Sequence, residues 1–187
     1  MGWRQVLVLY LVLGGLAAEY VLIERPRPPA PHGLPARQRF LPLQADELRQ
    51  LRLDLGGRTV VSRRSGDRWL VVDPPDAAIP PDLIAAFARA LAGAEQIERV
   101  MENDADPHTY GLDERAARVE VLGASGDPFV VTLGGTNPTG TAVYARLAGA
   151  SGVVLIGRDV RYYEELIFQA LAAGPAPAVD GHAPIGG

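Results

Sequence analysis

The sequence predicts an α+β domain built from two antiparallel β-meander-plus-helix halves, set behind an N-terminal transmembrane helix. Three observations lead there. Residues 6–23 are apolar apart from one acid, Glu19. Short alternating runs separated by Gly-rich turns recur downstream, with the period of half-buried strands. Two later stretches instead carry apolar residues at helical spacing.

The first element reads VLVLYLVLGGLAAEYVLI over residues 6–23, with Val6, Leu9, Leu13, Leu16 and Ile23 among its apolar positions. At about 1.5 Å per residue this helix would span roughly 27 Å, close to the thickness of a bilayer core. Glu19 lies near one end, where a carboxylate reaches the interface, and Trp3 and Tyr20 sit where interfacial aromatics belong. The run is apolar all round, which argues against a striped core helix. A cleaved signal peptide is the rival, because Arg4 supplies a short basic start and Gly15-Leu16-Ala17 resembles a cleavage site. The continuation through Tyr20 to Ile23 is longer than an ordinary signal core and favours a retained anchor over residues 1–24. Arg4 with the terminal amine flanks one side, and Arg25 and Arg27 the other. By analogy with signal anchors the N-terminus is placed in the cytoplasm.

Residues 25–39 hold five prolines, which disfavour helix and deny a sheet its donors. They read as a stalk of up to roughly 45 Å in polyproline II geometry. The folded domain is expected over 40–172. Residues 173–187, rich in Gly, Pro and Ala, read as a disordered tail.

Within the domain, residues 40–49 form a lead-in. Leu51, Leu53 and Leu55 alternate with Arg52 and Asp54, and Gly56-Gly57 supplies a hairpin turn. Strands follow at 58–63 and, after Ser65-Gly66, at 68–72. Pro80-Pro81 opens a helix whose Ile84, Phe87, Ala88 and Leu91 share one face, with Gly93 expected to close it as a left-handed cap. Residues 96–100 read as extended. The second half repeats the plan, with strands at 118–122, 129–133, 142–147 and 153–156. A last helix has Asp159 as the expected cap and Val160, Tyr163, Ile167 and Ala170 as its apolar stripe.

Composition narrows the function. The chain has 187 residues and a formal charge of −4, without the basic stripe that nucleic-acid binders carry, so nucleic acid is not an expected partner. There is no Cys and no Lys, which removes thiolate sites, P-loop lysines and Schiff-base chemistry. Asn103, Asp104, Asp106 and His108 gather metal-type ligands, but the loop lacks the Gly and the twelfth-position acid of a calcium hand, so a solvated turn is the preferred reading. A metal-dependent hydrolase using Asp104, Asp106 and His108 stands as the weakest of the functional readings. Residues 134–140 read as a hairpin loop rather than an anion cradle, since they join two strands and carry no Lys. Glu164 and Glu165, adjacent on a helix, read as a solvated face. No catalytic, cofactor or metal residue is assigned, and an enzyme is not expected.

Trp69, then Tyr110-Gly111-Leu112-Asp113, Leu133-Gly134 and Tyr144-Ala145-Arg146 stand in an order and spacing that resemble the bacterial domain of unknown function 4340 over residues 41–171. The resemblance implies an inner-membrane, single-pass protein with its folded domain outside the cytoplasm, often beside an ABC-type transporter and an auxiliary subunit of the gliding-motility kind. It also implies a chain shorter than many relatives, which carry more α+β units. Trp69, Tyr110, Gly111, Leu112, Asp113, Gly134, Tyr144 and Arg146 read as fold determinants: Gly111 for a positive φ, Tyr110 and Leu112 as turn anchors, Gly134 as a strand end. The expected function is a non-enzymatic accessory binding domain. The rival is a binder of a small lipid or glycan fragment, held in a groove between the two halves.

Overall fold

The computed structural model describes Trp3 and residues 38–101, 106–124, 126 and 128–174. The chain divides into two compact units, Met1–Ala36 and Arg37–Gly187, and everything described except Trp3 belongs to the second. The anchor expected over 6–23, all of the stalk but Gln38 and Arg39, and all of the tail expected over 173–187 but Ala173 and Gly174 lie outside the described residues, and Ala173 belongs to the last helix. Among the described residues no helix is long and apolar enough to cross a membrane.

The domain is α+β, with one antiparallel sheet and two helices among the described residues. Its strands are β1 (Leu48–Leu55), β2 (Arg58–Ser65), β3 (Arg68–Asp73), β4 (Glu98–Met101), β5 (Ala117–Gly123), β6 (Pro128–Thr136), β7 (Ala142–Leu147) and β8 (Val153–Gly157). Helix α1 (Pro81–Gly93) follows β3, a 3-10 turn (Pro107–Tyr110) precedes β5, and α2 (Asp159–Ala173) follows β8. The β1–β2 turn is made by Gly56 and Gly57, both at positive φ, 56° and 78°, as a primed two-residue turn requires.

The eight strands lie in the order β3-β2-β1-β5-β6-β7-β8-β4. The two expected meanders are therefore parts of one sheet. The meander β1–β3 and the meander β5–β8 are fused by a ladder between β1 and β5, in which Leu51 pairs with Val121 and Leu53 with Val119. The reason is burial: these four side chains are at most 1% exposed, so each pair completes a common core face. The ladder is continuous from one meander to the next.

One contiguous core takes the inward residues of the strands and the apolar faces of both helices, from Leu41 and Trp69 through Phe87 and Leu91 to Ile167 and Phe168. Helix α1 buries Ile84, Phe87, Ala88 and Leu91, the face expected from the sequence, together with Ala92. It ends differently, since Gly93 stays helical and the extended Ala94 leaves the axis while donating to the Leu91 carbonyl. The preceding chain takes that exit: Phe40 N donates to Ala94 O and Gln96 N to Gln38 O, both at 2.8 Å. Gln38 to Phe40 are thus tied into the domain.

In α2 the buried face is rotated from the expected stripe. Val160 and Ile167 are buried and Tyr163 and Ala170 pack half-buried against the core, but the fully buried positions also include Glu164 and Phe168. Asp159 is the first helical residue rather than the cap, and Arg158 stands at the cap without a side-chain capping bond, its Nη1 donating to Gly140 O at 3.3 Å instead. The Asp159 carboxylate folds back over Gly157, where a Cβ would lie 2.6 Å from Oδ1.

Candidate functional site

Tyr110, Gly111, Leu112, Gly134 and Tyr144 meet around the β6–β7 pair. Strand β6 does not end at Gly134. It runs to Thr136 and bulges, since Leu133 pairs with Ala145 and Thr136 with Val143, leaving Gly134 and Gly135 opposite Tyr144 alone. The bulge makes room for the 3-10 turn. A Cβ on Gly134 would collide with the Tyr110 carbonyl oxygen and sit 3.0 Å from Leu112 Cδ2, while a Cβ on Gly111 would lie 2.8 Å from Gly135 N. Gly111 holds φ 65°, the left-handed geometry that lets its N–H return to the His108 carbonyl. The Tyr110 and Tyr144 rings stand 4.8 Å apart at a tilt of 56°, and Leu112 is buried beneath.

Asp113 closes the turn. Its Oδ1 accepts from Arg115 N at 2.9 Å, and its carbonyl accepts from Ala116 N. Asp106, expected as a metal ligand in one reading, instead caps the turn by accepting from His108 N at 3.0 Å. His108 points outward, its Nδ1 3.8 Å from Asp113 Oδ2. Asn103 and Asp104 lie outside the described residues, and among the described residues no three metal-capable side chains form a group. Trp69 is remote in sequence and buried in the core from β3.

A bulge strips a carbonyl of its ladder partner. Here Arg161 of α2 replaces it: Nη2 donates to Gly134 O at 2.7 Å, and Nη1 to Glu164 Oε2 at 2.8 Å. Glu164, expected on a solvated face, is fully buried, whereas Glu165 stays exposed. Its burial has a physical cause: Arg161, one turn back, compensates the charge. Burial pushes the Glu164 carboxyl above its ordinary range, against the pull of Arg161. Its Oε1 has no hydrogen-bond partner among the described residues.

The hairpin loop expected over 134–140 does join β6 to β7 but is confined to 137–141, because residues 134–136 belong to β6. Asn137 organises it: Oδ1 accepts from Thr141 N at 2.9 Å and Ala142 N at 3.0 Å, and Nδ2 donates to Thr139 Oγ1. Two amides that could have faced an anion are therefore occupied.

Arg146 alone among the charged signature residues has no ion pair within the described residues. It lies on the outer face of β7 and lines two adjoining depressions, of about 490 and 360 Å³, which also share Arg118 of β5 and Thr132 of β6. The larger is closed at one end by Pro107, His108 and Leu112, the smaller by Ala148, Gly149 and Ala150. Sequence reasoning picked out Arg146 but missed Arg118 and Thr132, which look like ordinary outward strand residues until the register is known.

The family model described as Domain of unknown function (DUF4340) matches residues 69–164, about half of the chain. That window begins at buried Trp69 and ends at buried Glu164, so it encloses the whole assembly of turn, bulge and Arg161 clamp. No curated protein and no solved structure matches the chain.

Proposed function

The chain belongs to the DUF4340 family, and from that premise we propose that it is a non-enzymatic binding protein of the bacterial envelope. In this reading residues 6–23 anchor it in the inner membrane as a single pass, and the α+β domain lies on the extracytoplasmic side. There it serves as an accessory component of an ABC-type transport or gliding-motility-like complex.

The observation that supports a binding role is the division of labour among the signature residues. Tyr110, Gly111, Leu112, Gly134 and Tyr144 are spent on holding the turn against the bulge. Arg146 projects from the same framework into an open groove, on a rigid strand flanked by two others. A rigid frame that presents a charged side chain on an open sheet face suits docking.

The test is affinity purification of tagged full-length protein from its host in a gentle detergent, beside a truncation starting at Arg37. Stoichiometric recovery of transporter ATPase and permease subunits with the full chain, and their loss from the folded truncation, is the expected result. Recovery of the full-length protein alone would overturn the reading.

A further inference from the structure

We propose that the outer face of β5, β6 and β7 binds a small oxyanion, a phosphate or carboxylate group clamped between Arg118 and Arg146 above the Thr132 hydroxyl. The proposal rests on the reading of this face as a binding surface and names its ligand chemistry.

Register carries the argument. Arg118 pairs with Thr132, and Thr132 with Arg146, so the three residues form one row across adjacent strands. Neighbouring strands lie about 4.8 Å apart, which sets the two arginine Cα atoms roughly 10 Å apart with the threonine between them. Two guanidinium groups on stems of that length can meet over the middle strand, and each offers the planar fork that matches an oxyanion.

The local acids leave this charge available. Across the row on β1, Asp54 pairs with Arg118 in register, but its carboxylate is already held by Arg52 at 2.9 Å and by the Thr59 hydroxyl. Burial works against the Asp54 charge, yet the hydrogen bonds from Arg52 and Thr59, with the nearby charges of Arg52 and then Arg118, hold the carboxyl below its ordinary range, so Arg118 acts on Asp54 only through space while Arg52 takes its hydrogen bonds. Glu120 lies 3.5 Å from Arg118, with both side chains exposed, a weak pairing that a better-placed anion can displace. Arg146 has no acid partner among the described residues.

The surroundings select for size. The paired depressions, about 490 and 360 Å³, lie in the range of small-ligand sites. Asp113 and Glu114 stand at one rim, and the whole chain carries −4, so an extended polyanion is repelled while a compact group held by two arginines is not.

The test uses detergent-solubilised full-length protein titrated with inorganic phosphate, with succinate and with soluble dihexanoyl-phosphatidylglycerol, read by calorimetry and by the shift in melting temperature. Saturable binding of at least one probe is expected, weakened at least about tenfold by Arg146→Gln or Arg118→Gln. Glu120→Gln should tighten it, and Arg89→Gln, exposed on α1, should leave it unchanged. Binding of phosphate or succinate would mark a free small molecule as the source, and binding of the lipid alone a headgroup. No saturable binding of any probe, or equal affinity in folded Arg146→Gln and Arg89→Gln, would overturn the proposal. Because the titration contains no partner protein, its failure is distinct from a failure to co-purify transporter subunits.

Discussion

The carbonyl oxygen of Tyr110 rests on the Cα of Gly134, so closely that no side chain fits between the 3-10 turn and the β6 bulge. The obstructing atom is backbone, which cannot swing aside as a side chain would. Gly134→Ala should therefore destabilise the domain by at least about 3 kcal/mol, and Gly111→Ala by about 1–2 kcal/mol from its left-handed φ plus the contact with Gly135 N. Urea denaturation of the two variants checks this. A Gly134→Ala protein as stable as wild type would show that the turn does not dock as described.

Glu164 should make stability depend on pH. Its folded-state pKa is raised above the ordinary 4.5, chiefly by burial. The folded state thus binds the proton more tightly, and the stability this lends is complete below the ordinary value and lost as pH rises through the folded one. Arg161, Glu165 and Arg58 are the charges that act on it. Glu164→Gln should remain neutral throughout, so wild type should lose stability relative to it between about pH 4 and about pH 7.5. Parallel denaturation curves at the two pH values are the measurement.

Ser62 is buried in β2 with a hydroxyl that has no hydrogen-bond partner among the described residues. Burying an unpaired hydroxyl is unfavourable, so Ser62→Ala should raise stability by up to about 1 kcal/mol. A substantial loss instead would reveal a partner for that hydroxyl in solution.

Asn137 satisfies two backbone amides of the β6–β7 loop and braces two threonines. Asn137→Ala should cost about 1–2 kcal/mol and speed hydrogen exchange at Thr141 and Ala142, with little change in β1–β3. Asn137→Asp, which keeps the acceptor, should retain most of the protection.

Local physics made most elements legible in the sequence. The alternation of Leu51, Leu53 and Leu55, the Gly56-Gly57 turn and the face of Ile84, Phe87, Ala88 and Leu91 each follow from a few neighbouring residues. The fusion of two meanders was not legible, because β1 and β5 are far apart in the chain and pairing partners leave no local mark. The same applies to the row of Arg118, Thr132 and Arg146, which exists only once three registers are fixed. Glu164 was misread because an acid near an arginine on a helix has the same pattern whether exposed or buried. Only the bulge carbonyl of Gly134, which needs Arg161, explains its position. Gly134 itself was read as a strand end because glycine weakens strands, whereas here it admits a second piece of backbone.

The most direct test of a binding role for the outer sheet face is paired affinity purification of tagged full-length wild type and Arg146→Glu from native membranes, with quantitative mass spectrometry of what co-purifies. The wild type is expected to recover ABC-type ATPase and permease subunits, and a folded, membrane-bound Arg146→Glu to recover at least about tenfold less of them. Equal recovery by both proteins, or no transporter subunit with either, would contradict the account.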